Sequence, residues 1–568
     1  MSHSRIGHRG APARLALLGL VTLTCVAGTA TAAAPGITAS AATGATAAPA
    51  ANNFNLVAGD GYSSQPDGVQ IYSWGYGCAS ATAAAPATRS TVTFMPAQFQ
   101  ALGFCPAMQL PGPTLIVTEG QTVTVKLTNN LPVGAGNTSI LFTGQTVTAA
   151  SGTGATCTTQ GLLVCEAVKG SSVTYTFKPS KPGTYAYYSG TQPDLQIEMG
   201  LYGALVVLPA AAPTGSRRAA SCPTGEFSLA GFAYDHDATC YDREYLFQFG
   251  EIDPRIHQQV EKQVNYIKKC VATTSVNPTP AIPCPTAANA KLAVATEPYH
   301  PSYYLINGRS MPDDMDPDYA PNYAAQPYNG NPHMHPLEQV LLRVIGQGRW
   351  EHPFHEHANH VRILARDGNL LLSQTNASKL GGLMMFTTDT FPGQSFDGIF
   401  YWSGKGLNWD IYGHTAGSVY ADGASKGQLV ACVPDANGYY TAASNPPAPA
   451  GVANYGEWCA DHNHPLEANP VGQVGAGGPT TLPDPLVATN GLWYNGTPYL
   501  GQDAVNRSRG PTPLPPGGAL QNPPAESGIA FMWHSHNERE ITTNDVFPGG
   551  MLMMMLVDPP VWPIDETL

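Results

Sequence analysis

The stretch FMWHSHNEREITTNDVFPGGMLMMMLVDPP, Phe531 to Pro560, decides how this chain folds. Residues i and i+2 of a β-strand point to one face and i+1 to the other. His534 and His536 therefore share a face, Ser535 takes the opposite one, and Met551 to Leu556 reads as buried strand packing. Two neutral imidazoles on one face form half of a copper or zinc site, because both metals take imidazole nitrogen. An isolated pair of this kind reads more readily as two polar residues of an edge strand.

The pair is not isolated. HPFHEHANH, His352 to His360, holds four more of the sixteen histidines. His355 and His357 again share a face if the segment is extended, and Pro353 argues against a central helix. The following VRILARDG has a mixed, strand-compatible alternation. Two such strands far apart in sequence point to metal binding.

HPFHEH followed by a late HSH and a Gly-Met pair resembles the third and fourth copper motifs of the multicopper oxidases, the laccase and ascorbate oxidase superfamily. Those motifs usually read HPxHxHGH and HCHxxxHxxxxGM. The resemblance implies tandem cupredoxin-like Greek-key β-sandwiches and copper as the cofactor. It places His352 at a type 1 ligand position, His355 at a type 2 position, and His357, His534 and His536 at type 3 positions.

The departures weigh as much. Ser535 stands where the family has the type 1 cysteine, and Glu540 where it has a histidine. A blue copper centre needs a soft thiolate donor, which a serine hydroxyl does not supply. Met551 stands at the axial position but without its equatorial set, and reads as a core residue. In the first half, NNLPVGAGNTSILFTGQ, Asn129 to Gln145, carries Leu141 and Thr143 at two family histidine positions. KPGTYAYYSGTQPDLQIEMGLYGALVVLP, Lys181 to Pro209, carries Tyr188 and Gly190 at two more. All four N-terminal ligands are absent, while the surrounding strand and turn residues are kept.

Where the family uses eight imidazoles for its trinuclear cluster, this chain offers at most four: His355, His357, His534 and His536. That number suits a mononuclear site for copper, with zinc the lesser alternative, optionally completed by Glu356, Glu538 or Glu540. His333 and His335, in NPHMHPLE, form a third such pair, although Pro336 favours a loop equally. Tyr188 at a former ligand position is either a ligand or radical carrier, or a phenol filling the vacated space. The second of these is preferred.

Composition sets the outer limits. The chain has 568 residues, 60 Gly, 51 Pro and only 12% charged residues, which suits a loop-rich all-β protein. The net charge is −13; residues 1 to 50 contribute three arginines and no acids, so the remainder carries −16. Nucleic acid is excluded as a natural partner. Residues 1–32 read as an export signal, with a basic start and the apolar run Leu15 to Val26, and 33–52 as a disordered Ala/Thr-rich spacer. No other run is long enough to span a bilayer. A secreted or periplasmic location follows, and ten cysteines remain besides Cys25. Neighbour pairing gives Cys78 with Cys105, Cys157 with Cys165, Cys222 with Cys240, Cys270 with Cys284, and Cys432 with Cys459, a scheme that sequence alone does not prove.

Residues 53–212 read as one cupredoxin-like sandwich, Ala210 to Gly225 as a linker, and 226–568 as one or two further cupredoxin-like units with an insertion at about 404–527. Glu251 to Lys269 has helical character and reads as a surface insertion. Two-domain members of the superfamily form trimers with copper between subunits, but the ligands that one partner would supply are missing here. Homo-oligomerisation stays open.

The sequence thus implies an exported copper-binding protein with no type 1 blue copper, acting as an oxidoreductase on a small-molecule reductant or oxygen. The alternative is a non-catalytic metal-binding or structural protein on the same scaffold. Zinc-dependent hydrolysis with a glutamate base ranks last.

Overall fold

A computed structural model describes residues 36–38, 52–79, 93–95, 105–152, 157, 164–210, 231–274, 290–335, 338–402, 418–420, 429–431, 497–499, 528–558 and 564. All of these lie in one compact unit, Thr31–Leu568. The export segment, most of the 404–527 insertion and the Cys432 to Cys459 pairing lie outside the described residues.

The fold is all-β, as its alternating segments lead one to expect. VTVKLTN buries Val123, Val125 and Leu127, and SVTYTF buries Val173, Tyr175 and Phe177; these two strands, Val123–Asn129 and Ser172–Phe177, pair antiparallel. With Asn52–Ser64, Gln70–Cys78 and Val147–Ser151 they form a five-stranded sheet. A six-stranded sheet faces it. Its order is Thr93–Met95, Gly36–Thr38, Gly112–Thr118, Tyr202–Leu208, Gly183–Tyr188, Leu141–Phe142. Leu115, Val117, Leu205 and Val207 of the second sheet meet Phe54, Leu56, Val123 and Val125 of the first in one core. Asn52–Ser64 runs parallel to Val123–Asn129, and Gly112–Thr118 parallel to Tyr202–Leu208, so the chain crosses repeatedly between the sheets.

A second sandwich follows. One sheet runs Tyr303–Ile306, Arg243–Ile252, Gln339–Gly346, Ser395–Tyr401, Val361–Arg366, Asn369–Leu370, and the other His333–Met334, Leu552–Val557, Gly528–Ser535, His352–Glu356, Thr387–Thr390. The interior they share is apolar: Phe247, Phe249, Leu342 and Val344 of the first sheet pack with Phe354, Phe531, Trp533 and Met553 of the second. A buried polar seam joins the sandwiches. Thr184 Oγ1 donates to Asp397 Oδ1 at 2.6 Å, Ser395 Oγ to Thr184 O at 2.5 Å, and Arg343 Nη1 to Thr184 Oγ1 at 3.1 Å.

Within residues 33–52 lies the strand Gly36–Thr38, in which Ile37 pairs with Leu115. The open flank of Gly112–Thr118 accepts it because Gly36 has no side chain; a Cβ there would lie 2.7 Å from Thr114 O. The helix spans Pro254–Thr274, because Glu251 belongs to the wholly buried strand Arg243–Ile252. Asp253 caps it, its Oδ1 accepting from Arg255 N at 3.0 Å, with Pro254 starting the first turn. Nor is the helix only a surface insertion: Ile256, Val260 and Val264 complete the core of the first sandwich. Within the 404–527 insertion, Thr497–Tyr499 pairs with Gly528–Ser535.

Cys78 pairs with Cys105 and Cys157 with Cys165. Cys240 and Cys270 are also disulfide-bonded. Among the described residues no helix is long and apolar enough to cross a membrane.

Trp533 centres the second core. It is fully buried, its ring lies 4.9 Å from Phe400 and 6.0 Å from Phe354, and its Nε1 donates to His357 O at 3.1 Å. Trp533→Ala is expected to lower the unfolding free energy by about 3–5 kcal/mol. Denaturant unfolding reads this as a lower midpoint at constant slope; an unchanged midpoint would remove Trp533 from the core.

Candidate metal centre

The centre is built where two strands nearly two hundred residues apart meet. His352–Glu356 and Gly528–Ser535 pair antiparallel, with Phe354 opposite Ser535, His355 opposite His534, and Glu356 opposite Trp533. Cross-strand partners share a face. His355 and His534 therefore lie on one side, and Phe354, Glu356, Trp533 and Ser535 on the other. Beyond the strand end, His357 N donates to Met532 O at 3.2 Å and His536 N to Pro353 O at 2.8 Å, which continues the pairing and brings two more imidazoles to the first side.

His355, His357 and His534 each offer a nitrogen, and these nitrogens all lie within 4.8 Å of one another. His357 Nε2 and His534 Nε2 are 3.3 Å apart. Two imidazole nitrogens bound to one tetrahedral ion at the usual metal–nitrogen distance would stand about 3.3 Å apart, so this pair already has the required spacing. The His536 ring lies 4.7 Å from that of His355 and is half exposed, beside the group of three on its open side.

Ring orientation is fixed from behind. His534 Nδ1 donates to Ser535 O at 2.7 Å, which leaves Nε2 as the nitrogen facing the cluster. His355 Nδ1 is hydrogen-bonded to Thr387 Oγ1 at 2.6 Å. Phe386 stands edge-on to both His355 and His360 and is 41% exposed, so it forms an apolar rim. Burial, followed by the neighbouring imidazoles, lowers His355 to about 4 and His357 to about 3; burial likewise lowers His534. At neutral pH these three rings are uncharged, the form that ligates a metal.

The structure places His352 outside this group. It is fully buried, with Nδ1 2.9 Å from Glu540 Oε2 and Nε2 3.0 Å from Glu251 Oε2. Burial by itself would lower its pKa, but the hydrogen bonds and charges of Glu251 and Glu540 prevail and raise it to about 9. His352 is therefore an imidazolium clasped by two carboxylates, with both nitrogens engaged and none turned to the other histidines. Ser535 Oγ donates to Glu540 Oε2 at 2.5 Å, and Tyr299 OH lies 3.0 Å from Glu251 Oε1 and 2.6 Å from Glu198 Oε2.

The remaining candidates separate clearly. His333 pairs with Asp558 at 2.7 Å and His335 with Glu338 at 3.1 Å. Glu356 is buried on the far face, and burial raises its pKa well above the usual carboxylate range. Glu538 is exposed, 3.8 Å from His536. Met551 is fully buried in the second core. Leu141 and Tyr188 are cross-strand partners, and a Cβ on Gly190 would stand 3.7 Å from the Cβ of Leu141. Thr143 Oγ1 donates to Ala186 O at 2.9 Å. The N-terminal positions thus come together without supplying an imidazole.

Glu251, Tyr299 and Thr387 escape a reading of the sequence. For Glu251 a signal exists, a carboxylate within the otherwise strand-forming run REYLFQFGEI; a lone threonine and a lone tyrosine give none.

Residues 91–212 match the family model described as multicopper oxidase. A comparison with curated proteins finds no match. Among solved structures, the chain is similar to the multicopper oxidase mgLAC, at 13% identity and a TM-score of 0.40, over 90% of this chain and 87% of that one. It is similar to a blue copper oxidase from Nitrosomonas europaea, at 14% identity and a TM-score of 0.40, over 89% and 85%. A copper nitrite reductase from the same organism gives 16% and 0.34, over 62% and 86%.

The protonation states predict the pH profile of the metal-free protein. Lowered histidine pKa values mean that the unfolded chain binds protons, below its own value of about 6.5, that the folded cluster refuses. The cluster's contribution to stability should fall as pH drops from about 6.5 toward about 4. The stabilising contribution of His352 has the opposite sign: it is complete below about 6.5 and lost as pH rises through about 9. Urea unfolding across the range from about pH 4 to about pH 10 checks both contributions, and His352→Gln should make the decline between about pH 6.5 and about pH 9 shallower than in the wild type. A decline of unchanged steepness in the variant would overturn the assignment.

Proposed function

We propose that this chain is an exported, copper-binding oxidoreductase of the multicopper oxidase kind, with a single reduced copper site and no blue copper. The observation that carries the reading is the group of neutral, mutually close imidazoles His355, His357 and His534, with His536 beside them. Imidazole nitrogen suits copper and zinc alike; the multicopper oxidase match over residues 91–212 favours copper.

His355, His357 and His534 would hold the ion, with His536 beside them on the side open to a small-molecule reductant or oxygen. Copper held there supplies one-electron redox chemistry. Thr387 and the Ser535 carbonyl orient the rings, and Phe386 shields one side from water. With Ser535 and Glu540 around His352, the donor set for a blue centre is missing. The paired cysteines support an oxidising compartment, and residues 53–212 and 226–568 are taken as the two cupredoxin-like parts.

Elemental mass spectrometry on copper-loaded, dialysed protein tests the reading. One copper per chain is expected, without an intense visible blue band, and it should be lost in His534→Ala/His536→Ala. Tight copper with no turnover of any reductant would favour the metal-storing alternative. No copper in the wild type would end the proposal.

A further inference from the structure

We propose that Ser535 and Glu540 are positioning residues for the ligating nitrogen of His534, so that the buried Glu251–His352–Glu540 clasp sets how well the metal is held; this rests on the copper reading above. Ser535 touches both faces of its strand at once. Its carbonyl takes the Nδ1 proton of His534 at 2.7 Å, which aims His534 Nε2 at His357 Nε2. On the opposite face its hydroxyl donates to Glu540 Oε2 at 2.5 Å and accepts from Asn537 N at 3.2 Å, while its own N–H donates to Met551 O at 2.9 Å.

The peptide that orients His534 is thereby tied to a carboxylate that has little freedom of its own. Glu540 is fully buried, receives His352 Nδ1 at 2.9 Å, and takes Asn537 Nδ2 on its other oxygen at 3.0 Å. His352 is in turn held by Glu251, whose second oxygen accepts from Arg349 N at 2.7 Å and Trp350 N at 3.0 Å. The chain of contacts thus runs from the cluster into rigid backbone. Partners that orient a metal-binding histidine typically alter affinity by about 10–100-fold. Ser535 reaches His534 through its backbone, so the effect of its side chain should lie near the lower end.

The test compares wild type, Ser535→Ala and Ser535→Thr, each loaded with Cu(II). Copper affinity is measured by chelator competition, the EPR hyperfine splitting reports ligand geometry, and calorimetry reports folding. Ser535→Ala should bind about tenfold more weakly with an altered splitting, and Ser535→Thr should restore both, since its hydroxyl can reach Glu540. If Ser535→Ala does not fold, Glu540→Gln carries the same comparison, because it preserves size while weakening the contacts to His352 and Ser535. A variant that melts lower but binds copper with wild-type affinity and spectrum would show a purely structural role and overturn the proposal while leaving the copper site intact. A wild type that binds no copper would overturn both.

Discussion

Everything at the centre depends on one antiparallel pairing, that of His352–Glu356 with Gly528–Ser535. Because side chains alternate with a period of two, a slip by one residue would send His534 into the core and Trp533 toward the cluster. Trp533 prevents this slip. Its indole fills the space between Phe354 and Phe400, and its N–H is donated to the carbonyl of His357, so hydrophobic packing on one face fixes the register of the metal-binding face. The turn that returns the chain is equally constrained. Gly550 has φ +61°, and a Cβ there would come within 2.1 Å of Glu540 O.

The second physical theme is the treatment of buried charge. An unpaired ionised group in a protein interior is costly, and removing one partner of a buried pair typically costs about 3–5 kcal/mol. Glu251 and Glu540 meet this constraint through a shared proton-bearing imidazole, with Ser535, Tyr299 and backbone N–H groups satisfying their other lone pairs. At the histidine cluster the solution is reversed: burial keeps His355 and His357 neutral, the protonation state in which an imidazole ligates a metal. Histidines on neighbouring stretches of one strand thus take opposite protonation states, according to whether a carboxylate faces them.

Much of this is legible in the sequence, and the reasons are local. Alternation in VTVKLTN and SVTYTF reports inward and outward faces directly, so the sheet class follows. The HxH spacing reports a shared face for the same reason. What the sequence does not supply is partnership across long separations. The family resemblance brings Glu540 to the vacated site of His352, but nothing near His352 announces that Glu251, 101 residues away, closes on its other nitrogen. The helix is legible by its period, but its start is not, because Glu251 is a polar residue inside a buried strand. Its destination is not legible at all, since an apolar stripe does not say which core it joins.

That destination has a consequence for how the molecule holds together. The helix Pro254–Thr274 follows a strand of the second sandwich, yet Ile256, Val260 and Val264 fill the core of the first, where Tyr299, Tyr319 and Tyr328 join them. The first sandwich therefore does not enclose its apolar interior with its own strands alone. Opening of the first sandwich disturbs a segment that continues directly from a strand of the second, a coupling that would favour one cooperative melt over two.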